Sequence, residues 1–139
     1  MRYFDASALV KRYVREPQTD AVRRLLAEDT AASSRLTEVE ISSAVVRRCR
    51  EGGMSAKSRD AILSMLRDDF AVLYVVEFSA AISRLCHELL IRRPLRAGDA
   101  IQLASGIHLR DQIGQPTEFI SYDRRLNAAA ADEGMEIAL

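Results

Sequence analysis

Four acidic residues have the side-chain type and the positions expected of a metal-binding site. They are Asp5, Glu40, Asp99 and Asp123. Asp5 directly follows the β-forming pair Tyr3 and Phe4, and Asp123 follows an apolar run that ends at Ser121. Ligands collect beyond the carboxyl ends of the strands in open parallel sheets, which makes acids at those positions candidate site residues. Because clustered carboxylates repel one another, we expect a divalent cation to hold them together.

The chemistry of this set favours Mg²⁺ or Mn²⁺, since both ions prefer carboxylate and water oxygens. Zinc chemistry is not expected. His87 and His108 lie in different helical segments, and neither has a cysteine or histidine at ligand spacing. The hypothesis is therefore a magnesium- or manganese-binding acidic pocket.

Two serines accompany the acids. Ser7 stands two residues after Asp5, and Ser121 stands two residues before Asp123. Such hydroxyls either belong to helix-start and strand-end structure, or they orient a carboxylate or a metal-bound water.

Each acid also has a structural interpretation. Asp5, Asp99 and Asp123 could serve as helix N-caps, because Asp is a preferred capping residue. Thr37 and Glu40 form a T-x-x-E pattern that is typical of a capping box. Helical periodicity places Glu40 beside the apolar stripe, where an unpaired charge is costly, but it does not separate Glu40 cleanly from its neighbour Glu38.

The elements that would position these acids alternate between strands and helices. We predict strands at 2–5, 30–34, 70–76, 118–121 and 135–139. We predict helices at 6–15, 18–28, 36–51, 55–68, 80–91 and 123–132, and one more that begins at Gly98 or Asp99 and runs to about Arg110. The continuous apolar run at 70–76 favours a buried parallel strand. The alternation predicts an α/β fold with a mostly parallel central sheet flanked by helices on both faces.

Composition narrows the possible classes of protein. The 139 residues include 20 basic and 20 acidic side chains, and this balance argues against a protein that coats nucleic acid through bulk charge. No apolar run reaches the roughly 20 residues of a membrane span, and no signal-peptide pattern opens the sequence. Cys49 and Cys86 have no ligand spacing and are expected to be reduced packing residues. We therefore expect a single cytoplasmic domain over 1–139.

Four segments carry a resemblance to a known family. They read Asp-Ala-Ser-Ala-Leu at 5–9, Leu-Thr-Glu-Val-Glu at 36–40, Leu-Arg-Ala-Gly-Asp-Ala-Ile-Gln-Leu-Ala at 95–104 and Phe-Ile-Ser-Tyr-Asp-Arg-Arg-Leu at 119–126. In this order, and across nearly the whole chain, they resemble the successive motifs of PIN-domain proteins, and among these the VapC-like toxins of toxin–antitoxin pairs. Gly98 departs from the family pattern, which commonly has a larger apolar residue before the aspartate.

The resemblance implies a single PIN-like nuclease domain that acts as a metal-dependent endoribonuclease with Mg²⁺ or Mn²⁺. It assigns metal binding and catalysis to Asp5, Glu40, Asp99 and Asp123, and it favours Glu40 over Glu38 because the family acid follows a serine or threonine by three. It also implies an RNA substrate, a cognate antitoxin protein and a homodimer.

Other functions are weighed against this one. A phosphatase of the haloacid-dehalogenase type would need a second aspartate where Ser7 stands and a lysine near the third motif, yet the lysines are Lys11 and Lys57 alone. A non-catalytic PIN-like module that binds RNA or protein, and a housekeeping PIN nuclease without an antitoxin, remain as alternatives.

Two groups of residues could serve the partners. The basic residues nearest the acids in sequence are Lys11, Arg12, Arg96 and Arg124, each of which either contacts substrate phosphate or belongs to a solvated helix face. The first helices are rich in apolar residues that either all belong to the core or partly form a groove for an amphipathic partner helix. These are Leu9, Val10, Tyr13, Val14, Val22, Leu25 and Leu26.

Overall fold

The computed structural model describes residues 1–139 and shows strands and helices in alternation along most of the chain. The strands are β1 (Arg2–Phe4), β2 (Ala31–Ser34), β3 (Tyr74–Val76), β4 (Glu118–Ile120) and β5 (Glu136–Ile137). The helices are α1 (Ala6–Leu9), α2 (Thr19–Glu28), α3 (Arg35–Arg50), α4 (Ala56–Phe70), α5 (Ala80–Arg92), α6 (Ala97–Ile113) and α7 (Arg124–Asp132).

The five strands form one parallel sheet in the order β3-β2-β1-β4-β5. The central strand β1 pairs with β2 and β4, so that Tyr3 lies opposite both Ala32 and Phe119. All carboxyl ends consequently lie at one edge, and this confirms the predicted parallel α/β architecture.

Side chains of successive strand residues point to opposite faces of the sheet and build two separate cores. Tyr3 packs on one face with Phe119, at 5.4 Å between ring centroids, beside α5, α6 and α7. Phe4 and Ile120 lie on the other face beside α1, α2, α3 and α4. The prediction of helices on both faces is confirmed.

The predicted strand at 70–76 is wrong over its first half. Phe70 ends α4 and is buried one helical turn after Leu66, and the amide of Ala71 still bonds to the carbonyl of Arg67. The apolar stripe of the helix therefore outweighs the β-propensity of the run. Only Tyr74–Val76 pairs with β2, at the edge of the sheet, where Tyr74 is 46% exposed.

Several helix ends differ from the sequence prediction, and three differences concern the candidate site. The first helix stops at Leu9 and continues only as a 3-10 turn at Val10–Arg12. Helix α6 begins at Ala97, two residues before Asp99. The N-cap of α3 is Ser34, whose hydroxyl accepts from the amide of Thr37, so the capping box of Thr37 and Glu40 does not form.

Two further expectations concern single features. Cys49 and Cys86 are free, as predicted. Among the helices, none is both long enough and apolar enough to cross a membrane.

Candidate active site

Asp5 occupies the carboxyl end of the central strand and is held by several donors. It is 4% exposed and caps α1, where Oδ1 accepts from the amide of Ala8 at 3.0 Å. The hydroxyl of Ser7 donates to Oδ1 at 2.7 Å, and that of Ser121 donates to Oδ2 at 2.8 Å. These hydrogen bonds thus fix the carboxylate of Asp5 in one orientation at the carboxyl end of β1.

The two serines also connect Asp5 to the chain segment after β4. Their hydroxyl oxygens lie 3.2 Å apart, and the hydroxyl of Ser7 accepts from the amide of Tyr122 at 2.9 Å. The hydroxyl of Ser121 accepts from the amide of Asp123 at 3.0 Å. Both serines therefore contact the acid directly and hold the backbone that carries Asp123.

Asp123 caps α7 through one carboxylate oxygen. Its Oδ1 accepts from the amides of Arg125 at 2.8 Å and Leu126 at 3.2 Å, while its Oδ2 accepts no hydrogen bond. Capping and ligand binding are compatible here, because the cap uses Oδ1 and leaves Oδ2 available.

Glu40 projects from α3 toward α6. Its Oε2 accepts from the side-chain amide of Gln102 at 2.9 Å, and its Oε1 accepts no hydrogen bond. Glu38 instead pairs with Arg35 at 2.7 Å, on the same helix. Glu40 thus forms no ion pair and keeps one oxygen without a partner, whereas Glu38 has a local partner.

Asp99 and Gly98 form the part of α6 that faces Glu40. Asp99 accepts from the amide of Arg96 at 3.3 Å through Oδ2, and its charge raises the pKa of Glu40. A Cβ on Gly98 would lie only 3.0 Å from Oε1 of Glu40. The missing side chain at Gly98 therefore gives the Glu40 carboxylate its space.

Burial and mutual repulsion set the charge state of the acids. Burial, together with the charge of Glu40, raises the pKa of Asp5 to about 6, against the lowering effect of the donors from Ser7, Ser121 and Ala8. The pKa of Glu40 is raised as well, first by burial and then by the charge of Asp99. Deprotonation of the site is thus costly without a positive charge nearby.

No arginine or lysine supplies that positive charge, because none of the four acids takes part in an ion pair. The charge of Glu40 raises the pKa of Asp5, and the charge of Asp99 raises the pKa of Glu40, but no three acidic, histidine or cysteine side chains converge tightly enough to bind one ion directly. Mg²⁺ typically uses only one or two carboxylates and keeps several waters, so the donor set fits such an ion.

A buried polar network behind Glu40 was not foreseen from the sequence. Gln102 is 3% exposed and accepts from the hydroxyl of Tyr3 at 2.7 Å, while its amide donates to Thr37 at 2.8 Å and to Glu40. The signal was present, because Gln102 is the one amide side chain within an otherwise apolar stretch of α6. A buried amide needs partners, and these partners fix the Glu40 carboxylate.

The basic residues nearest the acids in sequence divide into two pairs. Lys11 is buried, pairs with Glu16 at 2.8 Å and lies over the Tyr122 ring, and Arg12 pairs with Asp69. Arg96 and Arg124 are exposed and form no ion pair.

Comparison with known proteins gives consistent matches. The model of the PIN domain family matches residues 2–132. A sequence relative, Ribonuclease VapC46 of Mycobacterium tuberculosis, is 32% identical over 136 residues, which cover 97% of this chain and 94% of the relative.

Two solved structures share the fold. The M. tuberculosis VapC20 structure, described as a sarcin-ricin loop cleaving toxin, has a TM-score of 0.68 at 19% identity and covers 93% of this chain and 95% of its own. A toxin–antitoxin complex from Klebsiella pneumoniae has a TM-score of 0.65 at 19% identity, with coverages of 92% and 91%.

Proposed function

The chain belongs to the PIN-domain family, and from this premise we propose that it is a single-domain, metal-dependent endoribonuclease that hydrolyses RNA phosphodiester bonds as the toxin of a toxin–antitoxin pair. The observation that carries the proposal is the group of unpaired acids at the carboxyl edge of the sheet, in which Asp5 is buried and has a pKa raised to about 6. A sequence relative named as a ribonuclease supports the same activity.

In this proposal Mg²⁺ or Mn²⁺ is held by oxygens of Asp5, Glu40, Asp99 and Asp123. When bound, such an ion supplies an activated water and stabilises negative charge on the phosphate. Ser7 and Ser121 keep the Asp5 carboxylate in its orientation, and Gln102 does the same for Glu40.

The acids differ in how many hydrogen bonds their carboxylate oxygens already accept. Both oxygens of Asp5 accept hydrogen bonds, whereas Oε1 of Glu40 accepts none. Burial raises the pKa of Glu40 above its usual value, which favours proton uptake by its carboxylate. We therefore assign the proton from the attacking water to Oε1 of Glu40, and we assign Asp5 to ligand binding.

An antitoxin would bind to the apolar surface of the first helices. Leu9, Tyr13, Val14 and Val22 belong to the core, but Leu26 is only half-buried. Together with Leu73 and exposed Val72 it lines a pocket of about 200 Å³. This pocket suits an apolar side chain of an amphipathic partner helix. One structural neighbour with the same fold is a toxin–antitoxin complex, which supports an antitoxin partner for this chain.

A homodimer is proposed from exposed apolar side chains. Val39 is 61% exposed and Phe78 is 58% exposed. The ion pairs of Arg35 with Glu38 and Glu77 place these two residues on the same part of the surface, since Val39 follows one turn after Arg35 and Phe78 follows Glu77. Size-exclusion chromatography with light scattering would test the dimer. The proposed function also implies a cytoplasmic location.

The decisive experiment is RNA cleavage by the purified chain. We expect cleavage with Mg²⁺ or Mn²⁺, none in EDTA, and restoration when either ion is added back. Asp5→Asn should abolish the activity. Undiminished cleavage in EDTA would contradict the metal requirement, and cleavage by Asp5→Asn equal to the native chain would contradict the site.

The toxin role has its own test. The chain is expressed alone and together with the gene directly upstream, and host growth and RNA integrity are compared. Growth arrest and RNA loss that the upstream product suppresses would support the toxin. Equal growth and intact RNA in both cultures would leave a nuclease without this duty.

A further inference from the structure

Two surface pockets adjoin at Ala44 on α3, and the two together are called the groove. The first, of about 220 Å³, is lined by Ser7, Val10, Glu40 and Ala44 among others. The second, of about 430 Å³, is lined by six residues, which are Glu16, Ala44, Arg47, Arg48, Glu51 and Gly53. Ala44 belongs to both pockets, so the two adjoin at this residue.

The helix periodicity places lining residues of both pockets in one row. Glu40, Ala44, Arg47 and Glu51 follow one another at three- and four-residue steps and therefore lie along one face of α3. Arg47 lies seven residues after Glu40, which is about 10 Å along the helix axis.

The two arginines at the far end are available for an anion. Arg47 is exposed and forms no ion pair. Arg48 has only a loose contact of 3.8 Å with Glu16, and that glutamate is already bound to Lys11 at 2.8 Å. A Cβ on Gly53 would lie 2.9 Å from Cγ of Arg48, so the glycine gives the Arg48 stem its place in the pocket.

We infer that this groove, from Ser7 and Glu40 over Ala44 to Arg47 and Arg48, binds the phosphodiester backbone of single-stranded RNA next to the bond that is cut. The inference rests on the proposed ribonuclease function and adds the path of the substrate. Guanidinium groups bind phosphate through paired hydrogen bonds. Phosphates are expected at the arginine end of the groove, because Arg47 forms no ion pair and Glu16 in the same pocket is already bound to Lys11.

The test uses cleavage kinetics on a fluorescein-labelled pool of short single-stranded RNA, with Mn²⁺ present. The double variant Arg47→Ala, Arg48→Ala should raise KM about tenfold or more and leave kcat unchanged, since charged hydrogen bonds are lost away from the reacting bond. The slope of log KM against log salt should fall by about 1.4, because each lost phosphate contact removes about 0.7 for a single strand.

Three further variants test whether the effect comes from the positive charge of the groove. Arg24→Ala removes an exposed, unpaired arginine of α2 outside the groove and should behave as the native chain. Arg47→Lys with Arg48→Lys retains the charge and should retain the salt slope. Glu51→Gln removes an exposed acid from the same groove and should lower KM.

The outcomes separate the two proposals. If the native chain cleaves RNA and the double alanine variant has the KM and salt slope of Arg24→Ala, the groove is not the substrate path while the ribonuclease stands. If the native chain cleaves no RNA with Mg²⁺ or Mn²⁺, both proposals are overturned.

Discussion

The hydroxyl of Ser121 donates to Oδ2 of Asp5 across the adjacent strands β4 and β1, at 2.8 Å. The same hydroxyl accepts from the amide of Asp123. One serine thus ties the central acid to the start of α7, where the fourth acid caps the helix. This arrangement keeps a buried carboxylate in place although burial and the charge of Glu40 raise its pKa to about 6. The ionised carboxylate of Asp5 is accordingly unfavourable in the folded protein before any cation binds.

The first prediction is that Asp5→Asn stabilises the metal-free protein at pH 8. A pKa raised from 3.8 to about 6 means that the folded state binds the proton more tightly than the unfolded state. The contribution of Asp5 to the free energy of unfolding is therefore highest at low pH, where Asp5 is protonated, and it falls as the pH rises from about 4 through 6. That shift corresponds to about 3 kcal/mol at most, and Asn avoids this loss.

Thermal unfolding in EDTA at several pH values measures this effect. The melting temperature of Asp5→Asn should exceed that of the native chain above pH 6, and the difference should vanish near pH 4. Asn retains an oxygen for the amide of Ala8, so loss of the cap contributes little. A melting temperature that falls at every pH would mean that Asp5 is chiefly structural.

The second prediction concerns metal binding. Because the cation requires the ionised carboxylate, the Kd for Mn²⁺ should rise about tenfold for each pH unit below 6, as one proton competes with the metal. Isothermal titration calorimetry between pH 5 and 8 measures it. A Kd that is constant over this range would exclude Asp5 as a ligand.

The third prediction separates two glutamates on α3. Glu40→Gln should reduce RNA cleavage by about a hundredfold or more, because it removes a positioned acid–base group. Glu38→Gln is the matched control, since Glu38 pairs with Arg35 instead of facing Gln102, and it should have little effect. Initial rates at saturating RNA and Mn²⁺ decide the matter. The reverse order of effects would show that the catalytic glutamate is Glu38.

Features that depend on neighbouring residues along the chain can be predicted from the sequence. Asp5 and Asp123 were placed at strand ends because short apolar strands precede them, and the structure has them there. The strand prediction at 70–76 is wrong at its start because Phe70 fits both a strand and the apolar stripe of helix α4. Its burial one turn after Leu66 puts it in the helix.

Other features depend on contacts between distant segments. Gln102 lies 62 residues from Glu40, so its hydrogen bond has no periodic signature along the chain. Gly98 reads in the sequence as a departure from the family pattern and as a weak start of a helix. In the structure it gives space to the Glu40 carboxylate, a contact that no local pattern announces.

The fourth prediction follows from that contact. Gly98→Ala places a methyl group about 3.0 Å from Oε1 of Glu40, which forces the carboxylate to move. Because alanine is a better helix former than glycine, the melting temperature in EDTA should be unchanged or higher. Cleavage and Mn²⁺ affinity should fall together. Native activity in Gly98→Ala would show that Oε1 of Glu40 does not need its present position.

The last prediction addresses the antitoxin. Leu26→Asp puts a charge into the pocket of about 200 Å³ that Leu26 lines with Leu73 and Val72, and a buried unpaired charge is costly in an interface. The variant should cleave RNA normally, because the pocket does not include the four acids, yet it should no longer co-purify with the product of the upstream gene. Ile91→Asp is the control, since Ile91 is 87% exposed on α5 and outside the pocket. Pull-down from cells that express both genes measures the effect. Equal recovery of the upstream product with the native chain and with Leu26→Asp would place the antitoxin on another surface.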